Sequence, residues 1–254
     1  MPELRLGSQK LVRLATEVNA TSLNYYQELR DQFRTQPLMG ARQIPPNRRS
    51  VTGLLPSRKN GGMVPFESAL ERDFAMLLEF DPEVVAYEAQ PVKLEYAGPD
   101  GRARVGYPDF LVKYEAQSGV WMELCDIKYR AELFEKWPQL KPRFKAARRI
   151  AALSGQRYRI RTEVEIRVPR LENAKFLLPY MRCEPDPNHA RVLTHALSSI
   201  RVSSPRELLK ACSDDEMQQA IVIPTLWCLV GRRLIETDLD APLSMQSSIR
   251  AIDP

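Results

Sequence analysis

Histidine is almost missing from this chain: His189 and His195 are the only two among 254 residues. Neither has a cysteine close by in sequence, so a histidine general base or a Cys/His zinc site lacks the residues to build it. The four cysteines, Cys125, Cys183, Cys212 and Cys228, show no CxxC spacing, and three lie in apolar runs. That pattern predicts free thiols in a reducing compartment. No run approaches the roughly 18 apolar residues a bilayer span needs, and no basic-then-apolar leader opens the chain. A cytoplasmic location, away from membranes, is the expectation.

Charge is present in moderate excess, 37 Lys and Arg against 32 Asp and Glu. The excess is local: residues 1–60 hold ten basic against four acidic side chains, and residues 136–170 hold eleven against two. Such stretches suit a polyanion, and Arg48, Arg49, Arg58, Lys59, Lys145, Arg148 and Arg149 are the candidate phosphate contacts. A solvated basic face gives the same pattern.

Periodicity organises the rest. Residues 1–60 read as a basic arm with one short helix from Ser22 to Phe33. Leu70, Phe74, Leu77 and Leu78 recur at helical spacing until Asp81-Pro82 stops them. Runs rich in β-branched and aromatic residues follow at Val84–Tyr87, Val92–Tyr96, Val105–Tyr114 and Val120–Tyr129, predicting strands. A helix is expected over Leu140–Ser154, ended by Gly155, then a strand over Tyr158–Thr162 and a helix over Leu171–Met181. This is a mixed α/β core, expected to fill residues 61–183. Cys183-Glu184-Pro185-Asp186-Pro187 reads as a linker, placing a boundary before a helical domain over 184–254. There Ser204-Pro205-Arg206-Glu207 is a capping box, Pro224 should kink or split the helix from Asp214 to Val230, and Arg232–Leu239 should form a strand. Three helices and a β-wing suggest a winged helix, with Met217, Ile221 and Trp227 in its core.

The residues that carry chemistry are Pro108-Asp109 and, 17 positions after the aspartate, Asp126-Ile127-Lys128. A hairpin turning at Ala116-Gln117 would set Asp109 opposite Leu124 and diagonal to Asp126, roughly 7 Å away. Strand alternation sends Asp126 and Lys128 to one face and Ile127 into the core. Two carboxylates can then share a hard cation, magnesium with manganese as substitute, bounded also by the Ile127 carbonyl. Such an ion polarises a phosphoryl oxygen and activates water, while a lysine orients that water and offsets transition-state charge. Glu67 and Glu71, four apart on the preceding helix, share a side from which either reaches the sheet edge. A solvated edge-strand pair is the bland account of Asp126 and Lys128; three acids around an empty centre would be a costly cluster of like charge.

At these residues the chain resembles the PD-(D/E)xK nucleases and, more narrowly, the TnsA endonucleases of heteromeric transposases. The resemblance runs over residues 45–180, through Phe66-Glu67-Ser68-Ala69-Leu70-Glu71-Arg72-Asp73-Phe74, Leu78-Glu79-Phe80-Asp81-Pro82, Tyr87-Glu88-Ala89-Gln90-Pro91, Pro108-Asp109-Phe110 and Asp126-Ile127-Lys128. It implies a restriction-endonuclease-like fold with a winged-helix-like C-terminal domain. Glu71 falls at the family's catalytic helix acid, Asp109 at its metal-binding aspartate and Lys128 at its catalytic lysine; Gln90 resembles a motif glutamine near the site. Asp126 holds a position the family fills variously, and Tyr129 stands where a proline is typical. Glu67, one turn too early, keeps a structural or capping role. By resemblance the substrate is double-stranded DNA at transposon ends, cut on the strand not joined to target. An RNase H-like transposase subunit cuts and joins the other strand, and an AAA+ ATPase regulates the assembly. A stand-alone restriction or repair nuclease would instead cut with metal alone, and a DNA-binding adaptor would not cut.

Overall fold

In the computed structural model, residues 51–252 are described, and they form two compact units. Arg48, Arg49 and the expected helix from Ser22 to Phe33 lie outside the described residues. Of the described residues, the first unit takes 51–71 and 83–162; the second takes 72–82 and 163–252. The chain therefore divides at 162/163, where the sequence pattern placed a boundary at 183/184. Helix-forming residues 163–183 carry an apolar stripe that packs with the C-terminal helices. The basic arm, expected to run to residue 60, gives way earlier to a hairpin of β1 (Gly53–Ser57) and β2 (Gly62–Phe66). Gly61, at φ +65°, makes its tight turn. Beside it the Asn60 carboxamide donates to Tyr87 O at 2.6 Å and accepts from Tyr87 N–H at 3.2 Å, satisfying backbone groups of the next strand.

The central sheet has the order β3 (Val84–Ala89), β6 (Phe110–Ala116), β7 (Gly119–Ile127), β8 (Arg157–Arg161). β3, β6 and β7 pair antiparallel, and β8 runs parallel to β7. A parallel neighbour needs a crossover, and α2 (Arg130–Leu153) supplies it. That helix starts ten residues before the expected one, with a break at Lys136 (φ −112°, ψ 15°) near Pro138 and Pro142. Its Ala147 and Ala151 pack with Val92, Leu94, Leu111 and Leu124, closing one sheet face.

The run expected as one strand over Val105–Tyr114 is two. β5 (Ala103–Gly106) pairs with β4 (Leu94–Ala97) as a separate hairpin, and Tyr107-Pro108-Asp109 separates it from β6. Proline has no N–H to give a ladder, so the strand breaks there. A second correction concerns register. The β6–β7 turn falls at Gln117-Ser118, with Ala116 opposite Gly119 and Phe110 opposite Cys125, which brings Asp109 abreast of Asp126, not diagonal to it. Gly119, at φ +114°, accepts the backbone that this turn requires.

Helix α1 (Ala69–Phe80) begins in the first unit and continues in the second. The second unit adds α3 (Glu163–Ile166), α4 (Pro169–Met181), α5 (Pro187–Ile200), β9 (Val202–Ser203), α6 (Pro205–Cys212), α7 (Glu216–Gly231), β10 (Ile235–Thr237) and β11 (Ile249–Ala251). Its core is apolar: Phe80, Leu177, Leu193, Leu208, Leu226, Trp227, Ile235 and Ile249 are all buried. The Ser204/Glu207 capping box forms as expected. Pro224 does not split its helix; α7 continues through it, its C-terminal half held by burial on all sides. Trp227 is core, but Met217 and Ile221 are exposed on the other, N-terminal half. All four cysteines are free, Cys125 and Cys228 buried and Cys183 exposed. No helix among the described residues is long and apolar enough to cross a membrane.

Candidate active site

Asp109 stands at the break that Pro108 creates. Its N–H donates to Cys125 O at 2.9 Å and its carbonyl accepts from Gln90 N–H at 3.0 Å, so its backbone is tied on both sides. The carboxylate turns to the end of β7, where Oδ2 accepts from Ile127 N–H at 2.6 Å and from Lys128 Nζ at 3.1 Å. Lys128 also donates to the Ile127 carbonyl at 2.8 Å, so that carbonyl is occupied. Burial works against the Lys128 charge, but Asp109 and Glu71 outweigh it and hold the ammonium above its ordinary range.

Glu71 joins them from the first turn of α1. Ser68 Oγ accepts from Glu71 N–H at 3.1 Å and donates to Oε1 at 3.0 Å, while Oε2 accepts from Glu67 N–H at 2.8 Å. This reciprocal cap fixes the glutamate, and Glu67 contributes backbone, in line with a capping role. Burial, with Asp109 adding repulsion, pushes the Glu71 carboxyl up to about 7 despite those donors and Lys128. Glu71, Asp109 and Lys128 thus form one electrostatically linked group.

Asp126 is held differently. Its side chain is fully buried: Oδ2 accepts from Tyr158 OH at 2.6 Å, and Oδ1 is ion-paired with Arg143 of α2. Among the described residues no three carboxylates, thiols or imidazoles converge closely enough to bind one cation. The expected pairing of Asp109 with Asp126 is therefore one of position; the donors holding each are different. Neither Arg143 nor Tyr158 was singled out from sequence as a site residue. The signal existed: Arg143 falls one helical turn before Ala147 on the inward stripe of α2, and a cation there demands a buried anion.

Gln90 lies beside the group, bonded through its N–H to Asp109. It is buried, adopts φ +49°, and its Oε1 has no hydrogen-bond partner. A non-glycine residue in the left-handed region and an unsatisfied buried acceptor are two local costs at one position. Of the candidate phosphate contacts, Arg58 and Lys59 lie in the β1–β2 turn, and Lys145, Arg148 and Arg149 are exposed on α2.

Two family models match the chain: TnsA-like endonuclease N terminal over residues 81–163, and TnsA endonuclease C terminal over residues 165–239. Together they take in more than half of it. The chain belongs to the TnsA-type endonucleases. Among curated proteins, none matches it. The join between the two matched segments, at 163–165, coincides with the division between the compact units. Membership makes the chain a transposase-associated nuclease, with DNA as substrate and a transposase as partner. The mixed sheet flanked by helices is consistent with a restriction-endonuclease-like core.

Proposed function

We propose that this TnsA-type chain is a divalent-metal-dependent PD-(D/E)xK endonuclease that cuts the non-transferred strand at transposon ends. It works beside an RNase H-like transposase subunit under an AAA+ ATPase, in the cytoplasm. The observation that carries the reading is the coupling of Glu71 to Asp109. Desolvation, with repulsion from Asp109 added, pushes the Glu71 carboxyl up to about 7, and Lys128 donates to Asp109 at 3.1 Å. A hard cation suits such an oxygen set and relieves that repulsion. Glu71 and Asp109 would hold it, joined by Asp126 and the Ile127 carbonyl only once these give up their present partners, Arg143, Tyr158 and Lys128; magnesium is the natural ion and manganese its substitute.

When bound, the ion supplies charge that polarises the phosphoryl oxygens and acidifies water. The protein's own residues do the rest. Lys128, tied to Asp109 and Ile127, offers an ammonium beside the reacting phosphate, orienting water and compensating developing negative charge. Gln90 supports Asp109 through its backbone. Arg58, Lys59, Lys145, Arg148 and Arg149, with Arg48 and Arg49, bind DNA phosphates without reading sequence. In the C-terminal unit the order over residues 187–251, helix, strand, two helices and two strands, supports a winged-helix reading. A binding-only adaptor would have no use for the buried acids.

The test combines the chain with its transposase on an end-bearing duplex. Wild type should nick the non-transferred strand in magnesium or manganese, and Asp109→Ala should abolish nicking while melting temperature and DNA affinity stay near wild type. Cleavage by a folded Asp109→Ala chain would sink the assignment.

A further inference from the structure

The buried pair of Arg143 and Asp126 has no part in the nuclease reading above, which asks Asp126 for a cation. As it stands the carboxylate is spoken for on both oxygens, by Tyr158 and by the guanidinium. Arg143 is poorly used in return: its Nε is buried without an acceptor, and the side chain keeps 15% of its surface exposed. A guanidinium offers five donors in a plane, matched in geometry to a carboxylate or a phosphate.

We propose that Arg143 is a DNA-phosphate-binding residue of the cleavage site, held in reserve on Asp126 until DNA arrives. Resting on the metal-site reading, this makes the Arg143–Asp126 pair an exchange. When a backbone phosphate enters, the guanidinium moves to it and Asp126 is released to the cation. Each buried charge keeps a partner throughout, whereas either half of the exchange alone would strand a buried Asp126 or a buried Arg143. Metal and DNA therefore bind cooperatively, and by linkage each raises the affinity of the other by the same factor.

The local structure permits the movement. Arg143 follows Pro142, and Pro138 lies one turn earlier; neither proline donates a helical hydrogen bond, and the helix breaks at Lys136. The Arg143 stem passes over Gly106, where a Cβ would sit 3.0 Å from its Cδ, so the glycine leaves its path open. Exposed Lys145, Arg148 and Arg149 follow on the same helix and would continue a phosphate track.

The experiment measures manganese affinity of the full chain by the loss of the free-ion EPR signal, with and without a short DNA duplex at low salt. Wild type should bind manganese at least about tenfold more tightly with DNA, within the usual span of coupling factors. Arg143→Gln should bind manganese more tightly than wild type without DNA and gain little from it. Arg143→Lys, which keeps the buried charge but loses the planar fork, should fold and show reduced coupling. Thermal unfolding checks each variant. If folded Arg143→Gln or Arg143→Lys binds manganese no differently from wild type and keeps the full DNA effect, Arg143 is a structural tie and the proposal falls. Manganese binding that survives Asp109→Ala would overturn the metal-site reading itself, a result distinct from the failure of Arg143 alone.

Discussion

Two buried amides separate the halves of this molecule. Asn173, in the C-terminal unit, donates to Leu239 O and Ala241 O at 2.8 Å each and accepts from Leu243 N–H at 3.0 Å. Gln90, in the nuclease unit, is equally buried but leaves its Oε1 without a partner and sits at φ +49°. The contrast extends to charge. Among the described residues the second unit buries only two acids, Asp73 and Glu79, both in its 72–82 segment, with Asp73 ion-paired to Arg72, Arg167 and Lys175, whereas the nuclease unit buries Glu88, Asp109, Glu123 and Asp126. A core built only for stability satisfies or excludes polar groups; a core that leaves acids crowded and an acceptor bare gives up stability at the site proposed for the chemistry.

That contrast can be broken in three ways. The largest effect should come from Lys128→Ala, which removes the ammonium but no metal ligand. Single-turnover nicking should slow roughly 10³-fold, about 4 kcal/mol in the barrier, with manganese affinity nearly unchanged. Equal losses in both would make Lys128 a metal-site support instead. Next, Leu226→Ala in the apolar core should cost roughly 3–5 kcal/mol in denaturant unfolding, and the folded fraction should nick at the wild-type rate. A nicking defect in that folded fraction would mean the two cores are not separable in function.

The smallest effect, and of opposite sign, belongs to Glu88→Gln. Burial raises Glu88 to about 7 from an ordinary 4.5, so the folded chain keeps a proton that the unfolded chain has already released. Stability must then fall as pH rises from 4.5 toward 7 and stay low above it. Removing that carboxyl should stabilise the protein by roughly 3 kcal/mol at pH 8 and by almost nothing at pH 4.5, at about 1.4 kcal/mol per pKa unit. A variant less stable at pH 8 would show that Glu88 contributes an interaction beyond its buried charge.

Much of this was legible beforehand, for reasons that are local. The stripe from Leu70 to Leu78, the β-branched runs on either side of residue 117 and the Ser204 box each depend on neighbours a few residues away. Errors arose where distant contacts decided. The turn moved one residue because Gly119 accepts a backbone that Gln117 would not, and the domain division moved because residues 163–183 found their partners in the C-terminal helices. Met217 and Ile221 share the apolar character of Trp227, yet only Trp227 lies on the half of α7 that the core surrounds.

What the sequence by itself determined is the kind of chemistry it can offer: carboxylate oxygens, one lysine, almost no histidine, and strands that bring Asp109 and Asp126 to one end of the sheet. Local pattern fixes residue type and element, and those fix which atoms are near in rough terms. Only the tertiary structure decided how each acid is held. Asp109 is gripped by Lys128 and Ile127 N–H, and Asp126 by Tyr158 and Arg143, residues 32 and 17 positions further on. Periodicity carries no term for such partners; they meet because the crossover through α2 lays β8 and Arg143 against the end of β7, where burying a charge requires an opposite one.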